Sequence, residues 1–543
     1  MTDIVNPVLR GTHPDPSWTW DPKGERVAIV NSTFEYVPGL PIHVTDDLAH
    51  YELVGYAVDG RMAHELLLDY VLDSGGLYAP TLRVVDGRYV IACTVSRLDE
   101  DEARADGVDE ATLARFRAAQ GNFVIEADDL EGPWRGPYWI EGAEGIDPDL
   151  SVDGDGAVYW TQTRGVPDAA VEGQGEIWTQ RIDPDGWTLC DDPGKTPIWR
   201  SFGAGAVWSE GPHLYRIGDW TYLMDAEGGT GLLHCETIMR AHTPHGLAAA
   251  IREATEAGRP IMDTHGNGTG LFRPNPANPF LTHRMLGEAV PVQSVGHDDL
   301  LHHPTMGWWL ACLATRQTPT ADGLSLNFTG RETFVAPIAW ERAHGDAVVD
   351  GNGEPVTDLP GEPDGTPGWP VLAGGTGRLV REWHADGADV AVGHVGFDDP
   401  GTQRLGVEEL RDPKDVLTVR GDLRFLFHRL TEPTCVIELP GEGHVRLRQD
   451  GHHRIELVTD GLSVRWAVRT GERLDEGYAE GPGPWSAVLA AGRLVIGTGD
   501  DPLTNRLAEL DATTLSVECA QTFVGCMVGI EEWEPWCPIG RHV

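Results

Sequence analysis

The chain has 543 residues, with 41 Lys and Arg against 85 Asp and Glu, and a formal net charge of −44. This charge argues against nucleic acid as a partner, because phosphate contacts need a basic surface. No run of eighteen apolar residues is present and the N-terminus lacks a basic and apolar leader, so we expect a cytoplasmic protein without a membrane segment. The length predicts two domains.

Cysteine and lysine are both used sparingly. Eight cysteines lie singly along the chain without a CxxC pair, which argues against zinc and disulfide frameworks and favours buried free thiols. The acidic, lysine-poor composition fits either adaptation to high salt or codon bias.

A β-hairpin unit recurs five times in the first two thirds of the chain. Each unit has a polar or proline-containing start, a short apolar strand, a tight turn and a second apolar strand. The units open at Asp15, Pro80, Asp147, Glu210 and His297. Radial repetition of this kind hides sheet edges, so the sequence predicts an all-β fold with a five-bladed β-propeller over residues 1–345.

Other segments interrupt or follow the repeat. Helical spacing predicts two insertions, at 99–120 and 244–258. A stretch rich in Gly, Pro and Asp indicates a linker at 346–374. Alternating strands at 417–420, 444–448, 454–458 and 494–496 predict a C-terminal β-sandwich over 375–543.

Propeller geometry brings the five opening residues together. The first strand of each blade lines the axis, so Asp15, Asp147, Glu210 and His297 are expected to share one pocket. We expect proline after Asp15 and Asp147 to hold both residues extended. Clustered carboxylates raise one another's pKa, which costs stability and therefore indicates a function.

Three carboxylates in one pocket suit glycoside cleavage with inversion. One carboxyl group protonates the leaving oxygen, a second activates water, and a third keeps the pKa of the acid high. Aromatic residues near the openers, Phe34, Tyr36, Tyr78 and Trp208, suit stacking against a sugar. No organic cofactor is required.

A set of motifs resembles glycoside hydrolase family 43, particularly its β-xylosidases and α-L-arabinofuranosidases. The motifs are NPVL at 6–9, HPDPS at 13–17, STFEYVPGLPI at 32–42, YAPTLR at 78–83, GIDP at 145–148, EGPHLY at 210–215, AEGGTG at 226–231, NPFLTHR at 278–284, VGHDDL at 295–300 and GRETF at 330–334. They span residues 6–340 in the order of the family. The resemblance implies a five-bladed propeller followed by a β-sandwich.

The resemblance also implies roles for individual residues. Asp15 matches the general base, Asp147 the residue that tunes the acid and orients substrate, and Glu210 the general acid. The resemblance further implies that Arg331 contacts the sugar hydroxyls, that Phe34 forms a wall of the pocket, and that His297 helps to hold an axial calcium ion in some members. The alternatives are a surface ion pair of Arg331 with Glu332, and an ordinary histidine without an ion at 297.

Several positions depart from the family pattern. Tyr78 replaces a usual Trp, Asp149 replaces a usual Ser, and the two helical insertions are atypical. The aromatic residue that the sandwich often lends to the pocket is expected near Cys519, where it is absent. The C-terminal match is otherwise confined to residues 522–525.

We therefore predict an exo-acting, inverting hydrolase that releases a terminal pentose from xylo- or arabinoxylo-oligosaccharides. β-D-xylosidase activity is favoured, with α-L-arabinofuranosidase as an additional or main activity. A retaining fructan hydrolase would need Asn-Asp-Pro and Glu-Cys-Pro motifs, which this chain lacks. A carbohydrate-binding propeller without catalysis is the alternative from another class, and homo-oligomerisation is left open.

Overall fold

The computed structural model describes residues 2–167, 169–200, 208–262, 270–287, 290–342, 367–397, 401–420, 422–499 and 501–532. Strands dominate these residues, which confirms the predicted all-β class. Among them, no helix has both the length and the apolar character needed to span a bilayer. The seven described cysteines are free thiols, and Cys537 lies outside the described residues.

Five antiparallel sheets of four or five strands follow one another along the chain. Sheet 1 contains Ser17–Asp21, Arg26–Val30, Gly39–Thr45 and Glu52–Val58; sheet 2 contains Val71–Leu77, Thr81–Val85, Arg88–Leu98, Asn122–Ala127 and Arg135–Trp139; sheet 3 contains Ile146–Val152, Val158–Gly165, Gly175–Asp183, Thr188–Leu189 and Thr196–Arg200; sheet 4 contains Glu210–Ile217, Trp220–Glu227, Cys235–His242, Arg273–Pro274 and Leu281–Thr282; sheet 5 contains Val292–His303, Gly307–Arg316, Arg331–Arg342 and Pro367–Leu372.

One inner strand from each sheet takes part in a closed ring. The strands Ser17–Asp21, Thr81–Val85, Ile146–Val152, Glu210–Ile217 and Val292–His303 each contact the inner strands of the two neighbouring sheets, and the fifth contacts the first. Residues that open these strands therefore lie near one another although they are far apart in sequence.

Strand pairings cross the predicted boundaries between the propeller, the linker and the sandwich. Thr2–Val5 pairs with Glu382–Asp386, which also pairs with Asp389–Val392, so part of the predicted sandwich packs beside the N-terminus. The predicted linker falls largely outside the described residues, and its later residues include Pro367–Leu372, a strand of sheet 5.

Two further sheets form the C-terminal part of the chain. One contains Thr402–Leu405, Thr434–Leu439, Trp485–Ala490, Arg493–Thr498 and Arg506–Asp511, and the other contains Phe425–Arg429, Glu442–Arg448, His453–Asp460, Ser463–Thr470, Arg473–Glu480 and Met527–Glu531. The buried apolar side chains of the two sheets pack together in one shared core. In place of the strand predicted at 417–420, only Leu417 and Thr418 form isolated bridges.

Helices are short and lie between strands. They are Gly60–Glu65, Glu100–Ala105, Glu110–Ala119, Leu247–Glu256, Val407–Arg411 and Val517–Ala520, with 3₁₀ turns at Leu68–Tyr70, Ala373–Gly375 and Thr513–Leu515, and a small hairpin at Thr318–Pro319 and Ser325–Leu326. The two predicted helical insertions are thus confirmed, the first as two helices. Asp99 and Asp109 cap these two, because their carboxylates accept hydrogen bonds from backbone N–H groups of the first turn.

An apolar cluster joins sheet 1 to the C-terminal sheets. Phe34 and Tyr36 pack there with Phe425, Phe427 and Val524. Burial of each large apolar side chain contributes about 1.5–3 kcal/mol, so the cluster holds the two parts of the chain together. It also places the C-terminal residues beside the ring of inner strands.

Candidate active site

A cavity of about 440 Å³, open to solvent, lies at the end of the ring where the inner strands begin. Its lining residues are Asp15, Phe34, Tyr78, Ala79, Ile146, Asp147, Glu210, Thr230, His234, His297, Arg331 and Phe523. The convergence predicted for the three carboxylates and His297 is therefore present in the structure.

Local backbone kinks aim these side chains into the cavity. Asp15, Asp147 and His297 have φ of 51°, 57° and 56°, in the left-handed region. The strand register shifts around Asp147 and His297, as at a β-bulge, which redirects a side chain and is frequent at active sites. The prediction that Asp15 and Asp147 are extended was wrong, because the preference before proline is overridden by these kinks.

Of the three carboxylates in the cavity, Asp15 has the most cationic and hydrogen-bonding partners. Its Oδ1 lies 3.1 Å from Nη1 of Arg331 and 3.8 Å from Nδ1 of His297, and its Oδ2 accepts a 2.5 Å hydrogen bond from the Ser32 hydroxyl. Burial alone would raise its pKa, but Arg331, His297 and Ser32 together lower the pKa below its usual value. Asp15 is therefore ionised at neutral pH.

Asp147 and Glu210 show the opposite behaviour. Burial, followed by the charge of Asp15, raises the pKa of Asp147 to about 7. Burial, followed by the charge of Asp147, raises the pKa of Glu210 to about 8. The backbone N–H of Gly211, next to Glu210, donates to Oδ2 of Asp147 over 3.1 Å. Glu210 therefore keeps its proton at neutral pH while Asp15 is charged.

Arg331 packs against two aromatic rings at the cavity wall. Its guanidinium carbon is 5.4 Å from the ring centroid of Phe34 and 5.5 Å from that of Phe523. The alternative of an ion pair with Glu332 is wrong, because Glu332 pairs with Arg316 at 2.6 Å. Arg331 is directed instead towards Asp15.

Phe523 overturns the expectation that the C-terminal part lends no aromatic residue to the cavity. Its ring lines the cavity and stacks on Phe34 at 5.6 Å between centroids. Its carbonyl accepts from Nη2 of Arg331 at 3.3 Å, and Gln449 holds its neighbours Thr522 and Val524 by 2.6 Å hydrogen bonds. The aromatic residue was expected near Cys519, four residues before Phe523.

The three other predicted aromatic contacts have different outcomes. Tyr36 is buried in the apolar cluster with Phe427 and is not among the lining residues. Tyr78 lines the cavity, and its hydroxyl donates to the Ser74 carbonyl over 3.1 Å. Trp208 is not among the lining residues and is 48% exposed. Its ring lies against Gly173 and Gly229, where an added Cβ would come within 2.3 and 3.3 Å of it. Trp208 is thus placed outside the cavity wall.

His297 was the residue predicted to help hold calcium. Burial lowers its pKa to about 4, and its ring lies flat against Gly211. Calcium takes six to eight oxygen ligands. Around His297, no three His, Cys, Asp or Glu side chains of the described residues lie close enough together to hold an ion, and Asp15 already pairs with Arg331. The calcium site stays a prediction.

A second layer of polar residues lies one step deeper along the inner strands. Three of its members each follow a cavity residue by two positions in the chain: Ser17 follows Asp15, Asp149 follows Asp147 and Asp299 follows His297. Arg83 lies at the centre of this layer. Its guanidinium contacts Ser17 at 3.2 Å, Asp149 and Asp299 at 2.9 Å, and His213 at 3.1 Å.

Arg83 therefore ties all five inner strands together. The unusual acid Asp149 is a counter-charge for Arg83 rather than a further acid of the cavity. Burial raises the pKa of Asp299, but Arg83 outweighs it and lowers that pKa to about 2. Sequence reasoning named Asp149 but missed Arg83, as well as Thr230 and His234 in the cavity wall.

One cavity thus holds an ionised carboxylate, Asp15, and a protonated carboxyl group, Glu210. Glycoside hydrolases use this arrangement. The chain belongs to the family "Glycosyl hydrolases family 43", whose model matches residues 4–344.

Two curated relatives are similar to this chain. A xylosidase/arabinosidase of Butyrivibrio fibrisolvens is 34% identical over 390 residues, covering 71% of this chain and 59% of the relative. A non-reducing end alpha-L-arabinofuranosidase of Bacteroides ovatus is 32% identical over 336 residues, covering 62% of this chain and 51% of the relative. The chain thus spans little more than half the length of these relatives.

Solved structures show the same fold over nearly the whole chain. The xyloglucan-locus family 43 protein GH43B of Bacteroides ovatus has a TM-score of 0.65 and 23% identity, covering 98% of this chain and 96% of that chain. A xylan beta-1,4-xylosidase of Bacillus halodurans has a TM-score of 0.67 and 20% identity, covering 97% of this chain and 96% of that chain.

Proposed function

We propose that the protein is an exo-acting, inverting glycoside hydrolase that releases a terminal pentose from xylo- or arabinoxylo-oligosaccharides. The observation that carries the proposal is the contrast between Asp15 and Glu210, which line one cavity with pKa values shifted in opposite directions. Inversion needs this pair, one carboxylate to activate water and one carboxyl group to donate a proton.

In the proposed reaction, water attacks the anomeric carbon while the bond from that carbon to the leaving oxygen breaks. Asp15 accepts a proton from the water, and Glu210 gives its proton to the leaving oxygen. Asp147 lies beside both and, through its charge, supports the high pKa of Glu210. Exchange with solvent then restores both protonation states.

The shape of the cavity supports exo action on a small sugar. Phe34, Tyr78 and Phe523 form aromatic walls of the cavity, and the inner strands are tied together by the layer around Arg83. One terminal residue of a chain fits such a site, whereas an internal segment needs an open groove. We assign β-D-xylosidase activity first, with α-L-arabinofuranosidase activity as a second or main activity, since the names of curated relatives include both.

We further propose that sheets 1 to 5 are the blades of a five-bladed propeller and that the two C-terminal sheets form a sandwich. The closed ring of inner strands supports the first assignment. The core shared between the C-terminal sheets supports the second.

Glu210→Ala tests the role of the acid with two substrates. Xylobiose has a poor leaving group and needs a proton, whereas a dinitrophenyl β-xyloside does not. We expect kcat/KM on xylobiose to fall by roughly 10²–10⁴ and to fall much less on the dinitrophenyl substrate. Equal losses on both substrates, or no loss, would contradict the assignment and leave a carbohydrate-binding protein as the alternative.

A screen of aryl pentosides tests the substrate. Wild-type protein is assayed on nitrophenyl β-D-xylopyranoside and nitrophenyl α-L-arabinofuranoside at equal concentrations. We expect a higher kcat/KM on the xyloside. A reversed ratio would make arabinofuranosidase the main activity, and turnover of neither substrate would contradict the proposed pentose.

A further inference from the structure

His234 presents an unused hydrogen-bond acceptor at the cavity wall. The residue lines the cavity and is 1% exposed. Its Nδ1 lies 3.0 Å from the carbonyl oxygen of Ser294. Its Nε2 is buried and has no hydrogen-bond partner among the described residues.

The contact with Ser294 fixes which nitrogen carries the proton. A carbonyl oxygen only accepts hydrogen bonds, so Nδ1 is the protonated nitrogen of the neutral ring. Burial lowers the pKa of His234 to about 4, so the ring is neutral over the pH range of most assays. Nε2 therefore carries a lone pair and acts only as an acceptor.

Packing fixes the orientation of the ring as well. An added Cβ at Gly296, on the inner strand of sheet 5, would come within 2.8 Å of Cε1 and 2.9 Å of Nε2 of His234. The imidazole thus lies flat against a backbone position that has no side chain. The backbone N–H of His234 donates to the Gly231 carbonyl over 3.0 Å, which holds the residue from the other side.

His283 shows what a satisfied histidine of this kind looks like in the same protein. Its Nδ1 lies 2.8 Å from the Val292 carbonyl, and burial lowers its pKa to about 4. Its Nε2 accepts a 3.0 Å hydrogen bond from the N–H of Leu379. His234 has the same kind of contact between Nδ1 and a backbone carbonyl, but its Nε2 has no donor among the described residues. Unlike His283, His234 lines the cavity.

An unpaired buried acceptor costs free energy that a ligand with a suitable donor recovers. Arg331 offers only donors, and the three acids are occupied by the reaction or by one another. We propose that His234 is a specificity-determining residue whose Nε2 accepts a hydrogen bond from one hydroxyl group of the sugar in the cavity. This inference rests on the proposed function, and it adds a residue to which no role has been assigned above.

Monodeoxy substrates test the contact directly. Wild-type protein and His234→Leu are assayed on nitrophenyl β-D-xylopyranoside and on its 2-, 3- and 4-deoxy analogues. In the wild type, we expect removal of the contacting hydroxyl to lower kcat/KM by roughly 10- to 100-fold or more. In His234→Leu, we expect the parent substrate to fall by a similar factor and that one analogue to lose no further activity.

Two further variants separate a substrate contact from a structural role. His283→Leu, the matched control, is expected to lower the melting temperature and leave the ratios between parent and deoxy substrates unchanged. Gly296→Ala displaces the ring of His234 without removing it, and it is expected to compress the same ratio as His234→Leu. It also serves as the test if His234→Leu does not fold.

The outcomes are distinct. Parallel losses on all four substrates in both His234→Leu and Gly296→Ala, or full activity of both, would overturn the assignment of His234. A folded wild-type protein that hydrolyses neither the parent xyloside nor nitrophenyl α-L-arabinofuranoside would instead overturn the proposed function, and with it the role of His234.

Discussion

The carbonyl oxygen of Phe523, near the end of the chain, accepts hydrogen bonds from the guanidinium of Arg331, whose Nη1 lies 3.1 Å from Asp15. A residue of the C-terminal part thus positions the cation that lowers the pKa of Asp15. The C-terminal sheets are in this way part of the active-site structure rather than an appendage to it.

Gln449 offers a way to test this connection. Gln449→Leu removes the two hydrogen bonds to Thr522 and Val524 that hold Phe523 in place. We expect kcat/KM on an aryl xyloside to fall by roughly tenfold or more, because a small displacement of a positioning group is costly. Steady-state kinetics at a temperature well below unfolding measure the effect.

Gln403→Leu is the matched control for Gln449→Leu. Gln403 also bridges backbone groups of the C-terminal part, the carbonyl of Arg429 and the N–H of Thr431. It does not contact the segment around Phe523. Equal losses of activity in the two variants would show that Gln449 acts only through stability.

Arg331→Met should move both limbs of the pH profile upwards. Burial raises the pKa of Asp15 and Arg331 opposes it, so loss of Arg331 leaves burial less opposed. Burial also raises the pKa of Glu210, and there too Arg331 opposes the increase. The profile of kcat/KM against pH measures both limbs. Arg331→Lys, which keeps a charge, should shift them less, and unchanged limbs in Arg331→Met would contradict the account.

Asp147→Asn should move only the alkaline limb, and downwards. Activity falls as the pH rises through the pKa of Glu210, about 8, because Glu210 then loses the proton that it donates. Burial is the first cause of that high pKa and the charge of Asp147 the second. A neutral amide at 147 removes the second cause, so the pKa of Glu210 should fall. An alkaline limb that stays in place or rises would be the opposite result.

Arg83→Met should destabilise the fold. The guanidinium faces Asp149 and Asp299, both fully buried, and its loss leaves two uncompensated charges. Breaking a buried ion pair in this way costs about 3–5 kcal/mol. Urea unfolding at neutral pH gives the free energy of unfolding. Arg61→Met is the control, since Arg61 and Glu65 are both exposed and their ion pair contributes at most about 1 kcal/mol.

The sequence predicted that the three acids lie together because their motifs recur in the repeat. Asp15, Asp147 and Glu210 each open an inner strand, and the ring of strands brings such residues together whatever their distance in sequence. The left-handed backbone at Asp15 and Asp147 could not be predicted in this way. A proline favours an extended conformation in the residue before it. That preference is overridden at Asp15 and Asp147 only in the closed ring of strands.

Residues that depend on contacts between distant parts of the chain were harder to find. Phe523 and Arg331 are 192 residues apart, and no local pattern relates them. Arg83 follows a strand opener by three residues and resembles an ordinary surface cation until five strands surround it. His234 is a single histidine between Leu233 and Cys235, and its unpaired nitrogen is visible only when the cavity is known. Trp208, by contrast, was favoured by proximity to Glu210 and lies outside the cavity wall.

The stereochemistry of the first-formed sugar tests the central claim most directly. Proton NMR can follow the anomeric signal of the product from a β-xyloside before mutarotation. If Asp15 activates water while Glu210 protonates the leaving oxygen, the first product is the α-anomer. A β-anomer as first product would mean that a carboxylate attacks the sugar itself, and the assignment of Asp15 as a base acting through water would be wrong.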